Sequence, residues 1–237
     1  MKRFLVFLLS VVIIAAIVGG YFVFLSPGSL NSGTAFVIPW IRNPQSHQDW
    51  AVEALSRCGE APFLMPTRGL IGYTWDDTFK IGHRHQGIDI FAGSDIGITP
   101  VYAAYDGYLT RQSDWKSTVI IRIPSDPLQP DRQIWTYYTH MADPQGNSLI
   151  SLDFPPGTSE VSVKAGTLLG YQGNYSGDAA NPVGVHLHFS IVRDDGSGLY
   201  LNELEINNTL DPSPYFGLTL NHNDHPAYPI QCTAMDD

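Results

Sequence analysis

Val185-His186-Leu187-His188-Phe189-Ser190-Ile191-Val192 is the stretch whose reading decides the fold. Successive side chains of a β-strand point to opposite faces. A period of two therefore turns Leu187 and Phe189 into a core and brings His186 and His188 together on the other face. Two imidazoles then point into one place. A pair of histidines on a plain solvent face is the alternative, and so short a motif does not exclude it.

The texture of this strand continues outward through the chain. Beyond Pro62 the sequence consists of brief apolar runs punctuated by Gly, Pro, Asn and Asp. Runs at 87–91, 101–104, 107–110, 118–123, 134–138 and 167–171 join 185–192 as predicted strands. Charged residues make up only 15% of the 237 residues, while Gly (22), Pro (17) and aromatics (12%) are plentiful, which favours strands and turns over long charged helices. The expected fold class is mostly β, a small antiparallel sheet of barrel or sandwich type. A short helix is expected over 48–55.

A formal net charge of -10 offers no basic surface to neutralise phosphates, so nucleic acid is not an expected partner, and anionic lipid would repel such a surface. Membrane attachment has to come from an apolar segment. Phe4 to Leu25 carries no charge and, as a helix, would extend roughly 33 Å, the thickness of a bilayer core. Its length favours an uncleaved transmembrane helix over a signal peptide. Lys2 and Arg3 orient it with the amino terminus inside and everything after Pro27 extracytoplasmic; cleavage would instead release a secreted protein. The expected organisation is an anchor over 1–27, a linker and extension over 28–61, one folded domain over 62–218 and a tail over 219–237. Cys58 and Cys232 flank the domain, and in an oxidising compartment they could form a disulfide or stay as two thiols.

Three clusters hold five of the eight histidines. The first is Gly82-His83-Arg84-His85-Gln86-Gly87-Ile88-Asp89-Ile90, the second Tyr137-Tyr138-Thr139-His140, the third the strand already quoted. Zn2+ accepts imidazole nitrogen and carboxylate oxygen, and a catalytic site takes three protein ligands with one position open. His85, Asp89 and one histidine of the third cluster meet that count, with His83 as a competitor. Asp89 sits among apolar neighbours, where an uncompensated carboxylate is costly and a metal would offset the cost. Its plainer role is a turn or strand-end residue. His140 alone would be an ordinary histidine, and Tyr73 and Tyr138 either reach the groove or pack in the core. His222 and His225 read as loop residues.

In this order the clusters resemble the signature of the lysostaphin-type zinc endopeptidases, bacterial enzymes that hydrolyse peptidoglycan cross-links and stem peptides. His85-Gln86-Gly87-Ile88-Asp89-Ile90 is similar to the family's first motif, and His186-Leu187-His188-Phe189 matches its last. Tyr138-Thr139-His140 lies between them, with Pro100 to Gly107 and Val163 to Gly170 resembling two further family stretches. The resemblance covers about 62–216. It implies His85, Asp89 and His188 as ligands of one Zn2+, with His140 and His186 as the catalytic pair, in a groove on a small antiparallel sheet.

What the resemblance implies for function is a zinc metalloendopeptidase that cuts peptides of peptidoglycan through a metal-activated water. The alternative is a non-catalytic module of the same fold that binds the wall or regulates another hydrolase. Retention of His140 argues for catalysis, because a structural zinc site has four protein ligands and no use for spare imidazoles. Three stretches depart from the family pattern, 126–132, 143–158 and 174–184, and they leave substrate preference open.

Overall fold

The computed structural model describes residues 32–78 and 82–232. The expected anchor over 1–27 lies outside them; among the described residues no helix is long and apolar enough to cross a membrane.

The strands are β1 (Leu70–Tyr73), β2 (Ile88–Phe91), β3 (Pro100–Tyr102), β4 (Gly107–Thr110), β5 (Val119–Ile123), β6 (Ile134–Thr139), β7 (Val161–Val163), β8 (Leu168–Tyr171), β9 (His186–Arg193) and β10 (Thr209–Leu210). An eight-stranded sheet runs in the order β1-β2-β9-β6-β5-β4-β7, with β10 also paired to β9, while β3 and β8 form a separate pair. All these pairings are antiparallel. The mostly β expectation holds, and the seven strands read from the sequence are present to within a residue or two at most ends. β1, β7 and β10 are additional.

Period-two alternation builds the main core. Ile88 and Ile90 from β2, Leu187, Phe189 and Ile191 from β9, and Val119, Ile121 and Ile123 from β5 enter one apolar cluster with Phe63, Met65, Tyr138 and Phe216. Tyr138 belongs wholly to this core: its hydroxyl accepts from the Ala104 N–H at 2.9 Å, and burial pushes its phenol up to about 12.

Within 28–61, α1 (Ser32–Arg42) is followed by a 3-10 segment (Pro44–Trp50). The short helix expected over 48–55 does not form there. Val52 exchanges both backbone hydrogen bonds with Gly69, and Leu55 adopts a left-handed φ of 63°, so the chain is already leaving helical geometry. α1 contains Pro39 and several β-branched residues, poor material for an isolated helix, and it owes its formation to packing. Val37 and Trp40, three residues apart on one face, join Leu70 and Phe91 in a second apolar cluster, and Trp40 Nε1 donates to the Phe91 carbonyl at 2.9 Å. Gly72 permits the contact, since a Cβ there would lie 2.3 Å from Val37 and 2.7 Å from Phe91.

The tail is tied back in two ways. Cys58 and Cys232 are disulfide-bonded across 174 residues. Leu220 and His222 pair with both backbone groups of Trp75, and Asn223 Nδ2 donates to Asp76 at 2.6 Å, so the tail braces the segment that leads to His85. Replacing both cysteines by serine is expected to lower stability by about 2–4 kcal/mol, the usual range for losing a native long-loop disulfide. Urea unfolding of the oxidised wild type against the double variant checks this.

Candidate metal centre

The register of the sheet places the first two candidate ligands. In the β2–β9 ladder Asp89 lies directly opposite His188, so the two side chains leave the same face as a cross-strand pair. His188 Nδ1 is 2.9 Å from Asp89 Oδ1. The third group comes from the loop before β2: His85 Nε2 lies 3.1 Å from Asp89 Oδ1 and 3.0 Å from His188 Nδ1. That loop is fixed by reciprocal bonds, Asp76 N–H to the His85 carbonyl and His85 N–H to the Asp77 carbonyl, each 2.8 Å, and by the Arg84–Asp76 ion pair. Gly87 is required within the motif, since a Cβ there would stand 2.1 Å from the Phe189 carbonyl oxygen of β9.

These three buried residues form a group able to hold a metal ion. Their outer hydrogen bonds show why. His85 Nδ1 lies 3.0 Å from the Thr74 carbonyl and must carry the proton to bond it, which leaves Nε2 as a lone pair facing inward. His188 Nε2 is 2.8 Å from the Glu203 carboxylate and donates to it, so its inward Nδ1 is where either a proton or a cation can sit. Burial works against a charged ring, but the carboxylates of Glu203 and Asp89 outweigh it and push His188 up to about 10. Burial likewise opposes ionisation of Asp89, and the surrounding His85, His186 and His188 overcome it and hold the carboxyl well below its usual range. One buried carboxylate, Asp89, and the converging imidazole nitrogens of His85 and His188 make a donor set suited to a divalent cation of the zinc type.

His140 and His186 stand beside this group. Their rings are 4.4 Å apart, and His186 Nε2 is 3.6 Å from Asp89 Oδ1. Each donates its Nδ1 proton to a main-chain carbonyl, His140 to Tyr175 at 2.6 Å and His186 to Gly184 at 2.7 Å, so each carries its lone pair on Nε2. Burial is the main cause that lowers both, with neighbouring imidazoles adding to it; His140 is pushed down to about 3. Both rings are therefore neutral near pH 7 and able to accept a proton. His140 follows the last residue of β6 at a left-handed φ of 72°, which takes its ring out of strand alternation and beside the group.

The centre lies in a cleft of about 680 Å³, lined also by Val37 and Ile41 of α1, by Tyr73 and Tyr137, and by Tyr175 and Val183 of the divergent 174–184 loop. His83 lines the cleft with its ring 6.3 Å from that of His85, outside the three-residue group. Tyr73 reaches the cleft and Tyr138 does not. His222 lies 3.7 Å from Asp77, apart from the centre. Glu203 is the participant that the sequence did not reveal. It sits in Leu201-Asn202-Glu203-Leu204-Glu205, a mostly polar stretch that reads as an exposed loop and follows no ligand spacing.

Fold and site together define an antiparallel β protein with a three-residue metal-competent centre flanked by two neutral imidazoles. Among solved structures the chain is similar to the antimicrobial peptidase lysostaphin from Staphylococcus simulans, with 20% identity over 70% of this chain and 55% of that one, TM-score 0.38. It is also similar to the catalytic domain of the prophage-encoded M23 protein EnpA from Enterococcus faecalis, with 23% identity over 63% and 95%, TM-score 0.36. A third is Helicobacter pylori Csd3, with 18% identity over 56% and 32%, TM-score 0.34. The chain thus spans about half of the lysostaphin structure and a third of the Csd3 one. No family model and no curated protein matches it.

An acid-sensitivity test follows from His140. Its folded-state value lies far below the ordinary 6.5, so the unfolded chain takes up a proton that the folded one refuses. The stability this contributes is complete above about pH 6.5 and declines as pH falls towards 3. In metal-free protein, His140→Asn tolerates the left-handed backbone and does not titrate. It is expected to show a shallower loss of urea-unfolding free energy across that window than the wild type.

Proposed function

We propose that the protein is a zinc-dependent endopeptidase that hydrolyses peptide bonds of bacterial peptidoglycan, with His85, Asp89 and His188 as the metal ligands and His140 and His186 as the catalytic pair. In this reading residues 1–27 anchor the chain in the cell membrane and the domain over 62–218 works on the extracytoplasmic side. The observation that carries the proposal is the pair of neutral imidazoles with inward lone pairs beside a ligand set of three. A purely structural zinc site would use four protein ligands and have no need of them.

When bound, Zn2+ would supply Lewis acidity, making a water easier to deprotonate and a carbonyl easier to attack. The chain's own residues do the rest. Nε2 of His140 or His186 accepts the proton of the attacking water, the ordinary work of a neutral imidazole with a bare nitrogen. Once charged, the same ring stabilises the oxyanion or passes its proton to the departing amine. Carbonyls of Tyr175 and Gly184 hold the Nδ1 protons and keep both Nε2 atoms turned inward throughout. The cleft walls, with aliphatic side chains from α1 and tyrosine rings around the centre, hold an extended peptide while Asp89 remains ionised at its base.

Zinc content measured alongside release of new amino groups from purified peptidoglycan tests the proposal, with the full chain in detergent. Wild type is expected to hold one zinc and to digest. His188→Ala and Asp89→Ala should lose the metal, whereas His140→Ala should keep it and lose at least about a hundredfold in rate, the lower end for a general acid–base residue. Zinc held by wild type with no release across several wall chemistries would overturn the enzyme assignment, and normal turnover by His140→Ala would overturn its role.

A further inference from the structure

Four histidines converge on the centre, and each has its outward nitrogen held by an acceptor. For His85, His140 and His186 that acceptor is a main-chain carbonyl, of Thr74, Tyr175 and Gly184 respectively. His188 differs: the acceptor is a side-chain carboxylate, Glu203, at 2.8 Å. Glu203 is itself fixed. The Ser190 hydroxyl, two residues along β9 on the same face as His188, donates to the same oxygen at 3.1 Å, and the Glu203 side chain is only 11% exposed. The segment carrying it is tied to the ligand motif by Gln86 Nε2, which donates to the Leu204 carbonyl at 2.8 Å.

We infer that Glu203 is a positioning residue for the metal centre, holding the Nε2 proton of His188 so that Nδ1 is the nitrogen turned to His85 and Asp89, where a cation would take the place of its proton. This rests on the reading of His85, Asp89 and His188 as the ligand set. The geometry keeps Glu203 from being a fourth ligand while it does this, because its carboxylate bonds the nitrogen on the far side of the ring from the ligand atoms. Carboxylates in such outer positions orient a ligating imidazole and raise its basicity, and their loss typically weakens metal binding 10–100-fold. This largely covered carboxylate, fifteen residues from its histidine in an otherwise exposed segment, meets the His188 ring and the Ser190 hydroxyl through one oxygen.

The test has two readouts on the full chain in detergent, neither of them turnover. The first is zinc affinity by competition with a chromogenic chelator. Glu203→Ala is expected to bind zinc 10–100-fold more weakly, in line with other outer carboxylates. Glu203→Gln, whose amide oxygen still accepts from Nε2, should recover much of the loss. Glu205→Ala removes the same charge two residues away on an exposed position and should stay within about twofold of wild type. The second readout is the hydrogen-bonded Nε2 proton of His188 by 1H–15N NMR of metal-free protein, expected in wild type and Glu203→Gln and lost in Glu203→Ala. An unchanged affinity and an unchanged His188 signal in Glu203→Ala would overturn the inference, as would an equal loss of affinity in Glu205→Ala. Wild type that takes up no zinc while its His188 signal still depends on Glu203 would count against the metalloendopeptidase reading and for the positioning role.

Discussion

Everything at the centre depends on one cross-strand pair, Asp89 of β2 opposite His188 of β9. Side-chain period in a sheet is two, so a slip of one residue in this register would send either partner into the core and its apolar neighbour into the cleft. Ile88, Ile90, Leu187 and Phe189 prevent that slip by being buried on the other face. Hydrophobic burial thus does the positioning, and the polar chemistry inherits its accuracy. The contact has little slack, since the backbones of Gly87 and Phe189 approach so closely that even a methyl group would collide.

Around that pair the structure manages a desolvation cost. Buried imidazoles and carboxylates are expensive unless each polar atom has a partner. Main-chain carbonyls at Thr74, Tyr175 and Gly184 provide three of the partners without adding charge, so His140 and His186 stay neutral with a lone pair on Nε2. The 174–184 loop therefore has a double part. Its Tyr175 carbonyl sets the tautomer of His140, and its side chains line the cleft, so a change in the loop reaches both the His140 ring and the cleft wall.

Much of this was legible in the residues. Alternation in 185–192 predicted the central strand and its two faces, and the three histidine clusters do converge. What escaped reading did so for physical reasons. β1 contains Gly72 and is preceded by Gly69, glycines against which Phe91 packs, with Val37 of α1 also against Gly72, a demand that no local pattern displays. α1 is assembled from residues with low helix propensity and is held by Trp40 and Val37, so tertiary burial overrode the local signal. Glu203 has no spacing to betray it, because its partner is set by where a loop returns after β9. The disulfide needed geometry that spacing cannot supply. His140 shows the converse: its sequence neighbours suggested a strand residue, and its placement comes from a left-handed turn at the strand's end.

The helix α1 has a consequence for how separable the domain is. Its Trp40 is fully buried and its Val37 and Ile41 form part of the cleft lining, although it lies upstream of every motif that identifies the centre. A fragment that began at residue 62 would retain all four histidines, Asp89 and Glu203, yet its groove would lack one side and its sheet would expose Leu70 and Phe91 to water. The polar centre and one wall of its cleft are thus encoded in different parts of the chain. Grafting the motif-bearing segment alone onto another carrier would transfer the converging donor groups without the cleft wall that α1 supplies.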